Sequence, residues 1–180
     1  KTCISLQKLL AKIQIWQSVF CKQGEAEELV QQALARLDAP LLGADDTRQE
    51  RAFGLERAGN LAFDAGGDTA QDFFRRSLTL YRQLDDAWGM ERALTDLGWW
   101  EAHYGAVITA QQFGEDALAL GRASGDQKQL ADTLWLLGTL AILQGQIEGA
   151  DRLLGESLDI RKVLGDRLTD IAAGPLDLGM

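Results

Sequence analysis

The feature that most restricts what this chain can fold into is its repetition of itself with a period of about 40 residues. Residues 129–166, QLADTLWLLGTLAILQGQIEGADRLLGESLDIRKVLGD, restate 89–126, GMERALTDLGWWEAHYGAVITAQQFGEDALALGRASGD, with small and apolar residues in the same order. Gly98 recurs as Gly138, Ala110 as Ala150, Ala117 as Ser157 and Asp126 as Asp166, each one period on. A third copy lies upstream, where Ala70, Ser77, Leu80 and Asp86 stand one period before Ala110, Ala117, Leu120 and Asp126. Gly59 precedes Gly98 by 39, so this copy lacks one residue between Gly66 and Ala70. A unit of this size is one supersecondary piece that cannot bury its apolar face alone, so neighbouring copies must stack to make a core. An elongated array follows, with its core running along its axis.

The apolar spacing within each unit is helical, in steps of three to five residues, and no segment sustains the period-two alternation of a strand. Residues 4–22 carry Ile4, Leu9, Ile13, Trp16 and Phe20, and EAEELVQQALARL at 25–37 follows Gly24. These form a first, more divergent hairpin over 4–40, ended by Asp38-Ala39-Pro40, with LLGADD at 41–46 as a loop. Thr47-Arg48-Gln49-Glu50 spells a capping box for a helix reaching about Asp64. Asp68, with Gln71 three residues later, predicts an N-cap for the next helix, ending near Leu84. Two more pairs follow, 88–104 with 107–123 and 127–143 with 147–163. The joins Asp85-Asp86, Gly125-Asp126 and Gly165-Asp166 are alike: glycine supplies a left-handed helix end, and Asp caps the next helix. Units at 4–40, 47–86, 87–126 and 127–166 result, with a partial fifth at 167–180 where Gly174-Pro175 interrupts the helical pattern. Residue 1 is Lys and the chain stops inside this fifth unit, as expected of an excised segment.

Composition excludes several classes of function. A net charge of −9 is the wrong sign for a nucleic-acid or anionic-membrane footprint, which needs clustered Lys and Arg. No apolar run approaches the ~18 residues of a transmembrane helix, and the start lacks the apolar core and cleavage site of a signal peptide. Cys3 and Cys21 lie on one predicted helix, roughly 27 Å apart at ~1.5 Å per residue, so they cannot bridge while it is intact. Free thiols point to a reducing, cytoplasmic setting. With His103 as the one histidine, and no phosphate-loop, zinc-protease or nucleophile-elbow motif, neither an enzyme, a metal site nor a cofactor is expected. The pairs Glu27-Glu28, Asp45-Asp46 and Asp85-Asp86 sit at helix starts or turns, where carboxylates cap helices or are solvated.

Glycine costs ~1 kcal/mol in a helix interior, so Gly98 and Gly138 recurring in phase predict close approach between paired helices. Leu134, Leu137, Gly138, Ala150, Leu154 and Ser157 together resemble the tetratricopeptide repeat. The phrases LGWWEAHYG, LGTLAILQG and ESLDIRKVLGD are similar to the longer repeats found in sensor arms of bacterial STAND-class ATPases and related transcription activators. The resemblance covers roughly residues 10–170. It implies an all-α, right-handed α-solenoid of about four helix hairpins plus a partial fifth, in a cytoplasmic bacterial signalling or transcription-regulatory protein. The proline usual near the end of the second helix is replaced by Arg82, Arg122 and Lys162. Asn60 matches the Asn of the carboxylate-clamp members, but Glu56 stands where they have Lys, so clamp binding of a C-terminus is not expected.

The resemblance places the first helix of each hairpin along a concave groove. Its offsets assign Asn60, Phe63 and Asp64 from one unit, Arg92, Trp99 and His103 from the next, and Trp135, Thr139 and Ile142 from the third. Adjacent helical residues point about 100° apart, so of Trp99 and Trp100 one is expected to pack inward and the other to face groove or solvent. The leading expectation is a groove binding a peptide, a partner protein or another domain of the parent. Two alternatives stand beside it: an inducer-sensing arm with a closed pocket near Trp99, His103 and Trp135, and a structural or homo-oligomerising scaffold.

Overall fold

The computed structural model of the chain describes residues 35, 48–64, 66 and 68–165. Apart from residue 35, the predicted hairpin at 4–40 lies outside these residues, as do both cysteines, the Thr47 cap and the partial unit at 167–180. The fold is all-α. Among the described residues six helices follow one another: α1 (Arg48–Asp64), α2 (Ala70–Gln83), α3 (Ala87–His103), α4 (Val107–Ser124), α5 (Gln127–Leu143) and α6 (Ile147–Leu164). Among the described residues there is no strand. Bounds read from the repeat agree with these within a residue or two, because the punctuation is in phase with the apolar pattern. Arg82, Arg122 and Lys162 lie within α2, α4 and α6.

Most contact is made within the pairs α1/α2, α3/α4 and α5/α6, and α2 and α4 also pack on the first helix of the following pair. Successive first helices approach closely along their backbones, α1 with α3 and α3 with α5; among the described residues the backbones of the second helices do not, although Arg122 of α4 reaches Glu156 of α6 at 3.7 Å. Among the described residues two apolar clusters result. Phe74, Leu78, Tyr81, Leu94 and Leu97 build one, and Ala110, Leu136, Leu137 and Leu140 the other.

The turns use the expected chemistry. Gly66, Gly105 and Gly145 turn the chain inside the pairs, and Gly125 and Gly165 end α4 and α6, all at positive φ. Asp85 occupies the equivalent place after α2 with φ 54°, the one non-glycine left-handed residue described. Asp86 and Asp126 cap α3 and α5, accepting from the backbone N–H of Gly89 at 3.0 Å and Gln129 at 3.1 Å. Each caps on one oxygen and is held on the other by the preceding unit: Gln49 Nε2 donates to Asp86 at 3.2 Å, and Trp88 Nε1 to Asp126 at 2.7 Å. Gln49 and Trp88 are 39 apart, so this tie between successive pairs is itself part of the repeat. Asp68 departs from expectation. The chain enters α2 through Thr69, already in helical conformation and making no side-chain cap, and the Asp68 carboxylate accepts from Tyr104 Oη at 3.2 Å. With one residue fewer in this turn, Asp68 falls outside the cap position.

Close approach at the small positions holds, but the filling differs from unit to unit. A methyl group at Gly59 would lie 2.5 Å from the Phe74 ring, and one at Gly138 would lie 2.6 Å from Leu154. There, a large residue of the second helix rests on the glycine of the first. In the middle pair the residue equivalent to Phe74 and Leu154 is Gly114. Leu136 of the next pair closes over Gly98 instead, 2.5 Å from where a methyl there would sit, and Leu137 closes over Gly114 at 2.7 Å. The buried residues of α4 are Ala110, Gly114, Ala117 and Gly121, one smooth stripe into which the flanking helices insert their bulk.

Candidate functional site

The repeat brings Ala52, Glu91 and Ala131 to one position of the first helices, and Ser77, Ala117 and Ser157 to one position of the second. In the outer pairs Ser77 Oγ donates to the Ala52 carbonyl at 2.8 Å, and Ser157 Oγ to that of Ala131 at 2.7 Å. The middle pair lacks this bond. Glu91 is 0% exposed, and its carboxylate occupies the notch left by Gly121, where Tyr81 and Arg161 stand in the neighbouring units. Ser124 Oγ donates to Glu91 Oε2 at 3.4 Å, while Oε1 has no hydrogen-bond partner among the described residues. Burial pushes the Glu91 carboxyl up to about 7, against the Ser124 hydrogen bond and with repulsion from Asp126 and Asp132. An ionised carboxylate with no cation beside it is expensive to bury, so burial favours the protonated form.

A second polar layer lies between α1 and α3. Glu56, 1% exposed, accepts from Tyr81 Oη at 3.1 Å and is ion-paired with Arg92. The Arg92 guanidinium lies 4.3 Å from the Trp88 ring and 5.4 Å from the Phe53 ring. Arg92, assigned to ligand binding from sequence, thus has its charge matched inside the molecule. Burial raises Glu56, opposed chiefly by Arg92. Burial also holds Asp96 well above the usual carboxylate range, and Glu56 adds to it. Asn60 Nδ2 donates to Asp96 Oδ2 at 3.4 Å, joining two units through a residue of the assigned groove.

Of the other assigned residues, Phe63 and His103 meet edge to face with centroids 5.3 Å apart, and His103 also edges onto Tyr104 at 5.2 Å. Asp64 is exposed at the end of α1. Thr139 is half-buried and donates back to the Trp135 carbonyl at 2.9 Å, and Trp135 is itself half-buried. Ile142 is 48% exposed. The two adjacent tryptophans do not divide as expected. Both are half-buried, Trp100 against the α1–α4 cluster and Trp99 against the cluster centred on Leu136 and Leu140. A helix between two neighbouring pairs has apolar contact on both flanks, so a 100° step leads from one core into the next.

A cleft of about 190 Å³ lies elsewhere, between α4, α5 and α6. Its floor is Leu118, Leu137, Leu140, Ala141 and Leu153, and its rim Gln111, Glu115, Gln144 and Gln146. None of the nine assigned residues lines it, and the pocket expected near Trp99, His103 and Trp135 does not coincide with it. Among the described residues no group of three or more His, Cys, Asp or Glu is placed to hold a metal ion. No helix among them is long and apolar enough to cross a membrane.

No family model matches the chain, and comparison with curated proteins finds no match. Among solved structures, BtubC (BKLC) from P. vanneervenii superposes with a TM-score of 0.66 at 20% identity, over 81% of this chain and 59% of that one. The chain therefore spans less than two thirds of that protein, and at this identity the likeness is one of fold.

Proposed function

We propose that the chain is a tetratricopeptide-like α-solenoid serving as a non-enzymatic interaction or sensing module of a larger regulatory protein. It holds a peptide or partner segment along the face of its first helices. The observation that carries the reading is the asymmetry of packing: the backbones of α1 and α3, and of α3 and α5, approach closely, whereas those of the successive second helices stand further apart, α4 reaching α6 through the Arg122–Glu156 ion pair at 3.7 Å. An array packed more closely along one row of helices than the other curves toward that row, so the first helices line its inner side. Phe63 and His103, Asn60 and Asp96, Trp135 and Ile142 are then the groups a bound segment meets. Half-buried aromatics framed by polar groups suit anchoring of this kind.

The test is selection of peptides from a display library on the isolated chain, with affinities then measured by calorimetry. Phe63→Ala and Trp135→Ala should each weaken a selected peptide tenfold or more, while Arg76→Ala on α2 leaves it unchanged. Equal binding by all three would refute the groove.

A further inference from the structure

The cleft between α4, α5 and α6 can be compared with its own counterpart, because the repeat sets the same positions between α2, α3 and α4. Upstream they hold Trp100, Tyr104 and Phe113; one period on stand Leu140, Gln144 and Leu153. Trp100 and Phe113 pack upon the cluster containing Leu78 and Leu97, and Trp100 lies on Tyr104 with centroids 4.4 Å apart. Downstream the equivalent leucines, Leu118 and Leu137, are retained as the floor, but the three rings are gone and the 190 Å³ cleft lies over it. What the chain fills with its own aromatics at one junction it leaves open at the next.

We propose that this cleft binds a single aromatic ring carrying an N–H or O–H donor, of the indole or phenol type. Apolar cavities of roughly 150 Å³ accept benzene, so the volume suits a ring. The rim sets the polarity. Gln146 Nε2 donates to Gln144 Oε1 at 2.9 Å, Gln144 Nε2 to Gln111 Oε1 at 2.8 Å, and Gln111 Nε2 to Glu115 Oε1 at 2.7 Å. This relay ends on a carboxylate, which only accepts; a donor on the ring is matched there and an anionic substituent is repelled. Upstream the same combination is met within the chain, since Tyr104 adds to the half-buried Trp100 ring a hydroxyl that donates to Asp68 at 3.2 Å.

The experiment is titration of methyl-labelled protein with indole and, separately, with N-acetyl-tryptophanamide. Saturable shifts confined to the Leu118, Leu137, Leu140 and Leu153 methyls are expected. Leu153→Phe and Leu140→Trp, which restore upstream residues, should weaken binding tenfold or more without lowering Tm. N-acetyl-tryptophanamide binding at least as tightly as indole identifies the ring as a protein side chain; binding of indole alone identifies it as a free small molecule. Absence of saturable shifts with either probe, or undiminished binding by folded Leu153→Phe, overturns the site. Should Leu140→Trp fail to fold, Leu153→Phe decides. Phe63→Ala and Trp135→Ala should leave indole binding unaltered, so failure of the groove and failure of the cleft are told apart.

Discussion

Glu91 is the residue whose behaviour departs most from its counterparts in the repeat. Its folded pKa of about 7 lies above its ordinary 4.5, so between these values the folded chain holds a proton the unfolded chain has released. Stability therefore falls as pH rises across that window and levels off above it. Glu91→Gln should match wild type near pH 4.5 and exceed it at pH 8 by on the order of 1–3 kcal/mol, read as Tm against pH. A parallel pair of curves would reject the buried proton. Asp126 behaves in the opposite sense, because the Gln129 N–H lowers its pKa. Asp126→Ala removes both the cap and the Trp88 tie and should cost about 1–2 kcal/mol in chemical denaturation at neutral pH. At Asp85 the left-handed backbone disfavours a side chain, so Asp85→Gly should stabilise by roughly 0.5–1 kcal/mol.

At the scale of the element, α4 is defined by what it lacks. A methyl at Gly121 would sit 2.1 Å from Glu91 Oε1, so Gly121→Ala must displace a buried carboxylate. A cost of ~1–3 kcal/mol is expected in the wild-type background and little in Glu91→Ala, where the notch is vacated. The double-mutant cycle measures the coupling, and additive effects would mean that the two do not share space. Gly138→Leu should cost a similar ~1–3 kcal/mol through Leu154. The helices themselves were legible because glycine and Asp recur in phase with the apolar stripe. The filling of the small positions was not, since a periodic pattern equates Gly98 with Gly138 and is silent on whether the occupant comes from the same pair or the next. Aligned columns did contain a signal: Tyr81, Gly121 and Arg161 vary in bulk against Ala52, Glu91 and Ala131. Of the candidate site, the repeat offsets made legible only that its nine residues share the first helices. Offsets brought Phe63 to His103, but Glu56, once buried, required a cation and drew in Arg92.

At the largest scale, contacts among the described residues run between neighbouring helix pairs, and stability is correspondingly local. The middle pair has structure on both sides, whereas the buried residues of α6 are Ala150 and Ser157, with Val163 and Leu164 exposed. Amide exchange should accordingly be slowest in α3 and α5 and faster in α6; uniform protection would indicate one indivisible cooperative unit. The exchange of bulk across the middle helix bears on how such a chain can change length. Excising residues 87–126 preserves every turn and the spacing, yet it sets the Tyr81 ring, now over Gly89, against Gln129. The repeats are alike in outline but have diverged into parts that fit in one order only, so recombination that adds or drops a whole period would yield a chain of acceptable pattern and mismatched interior.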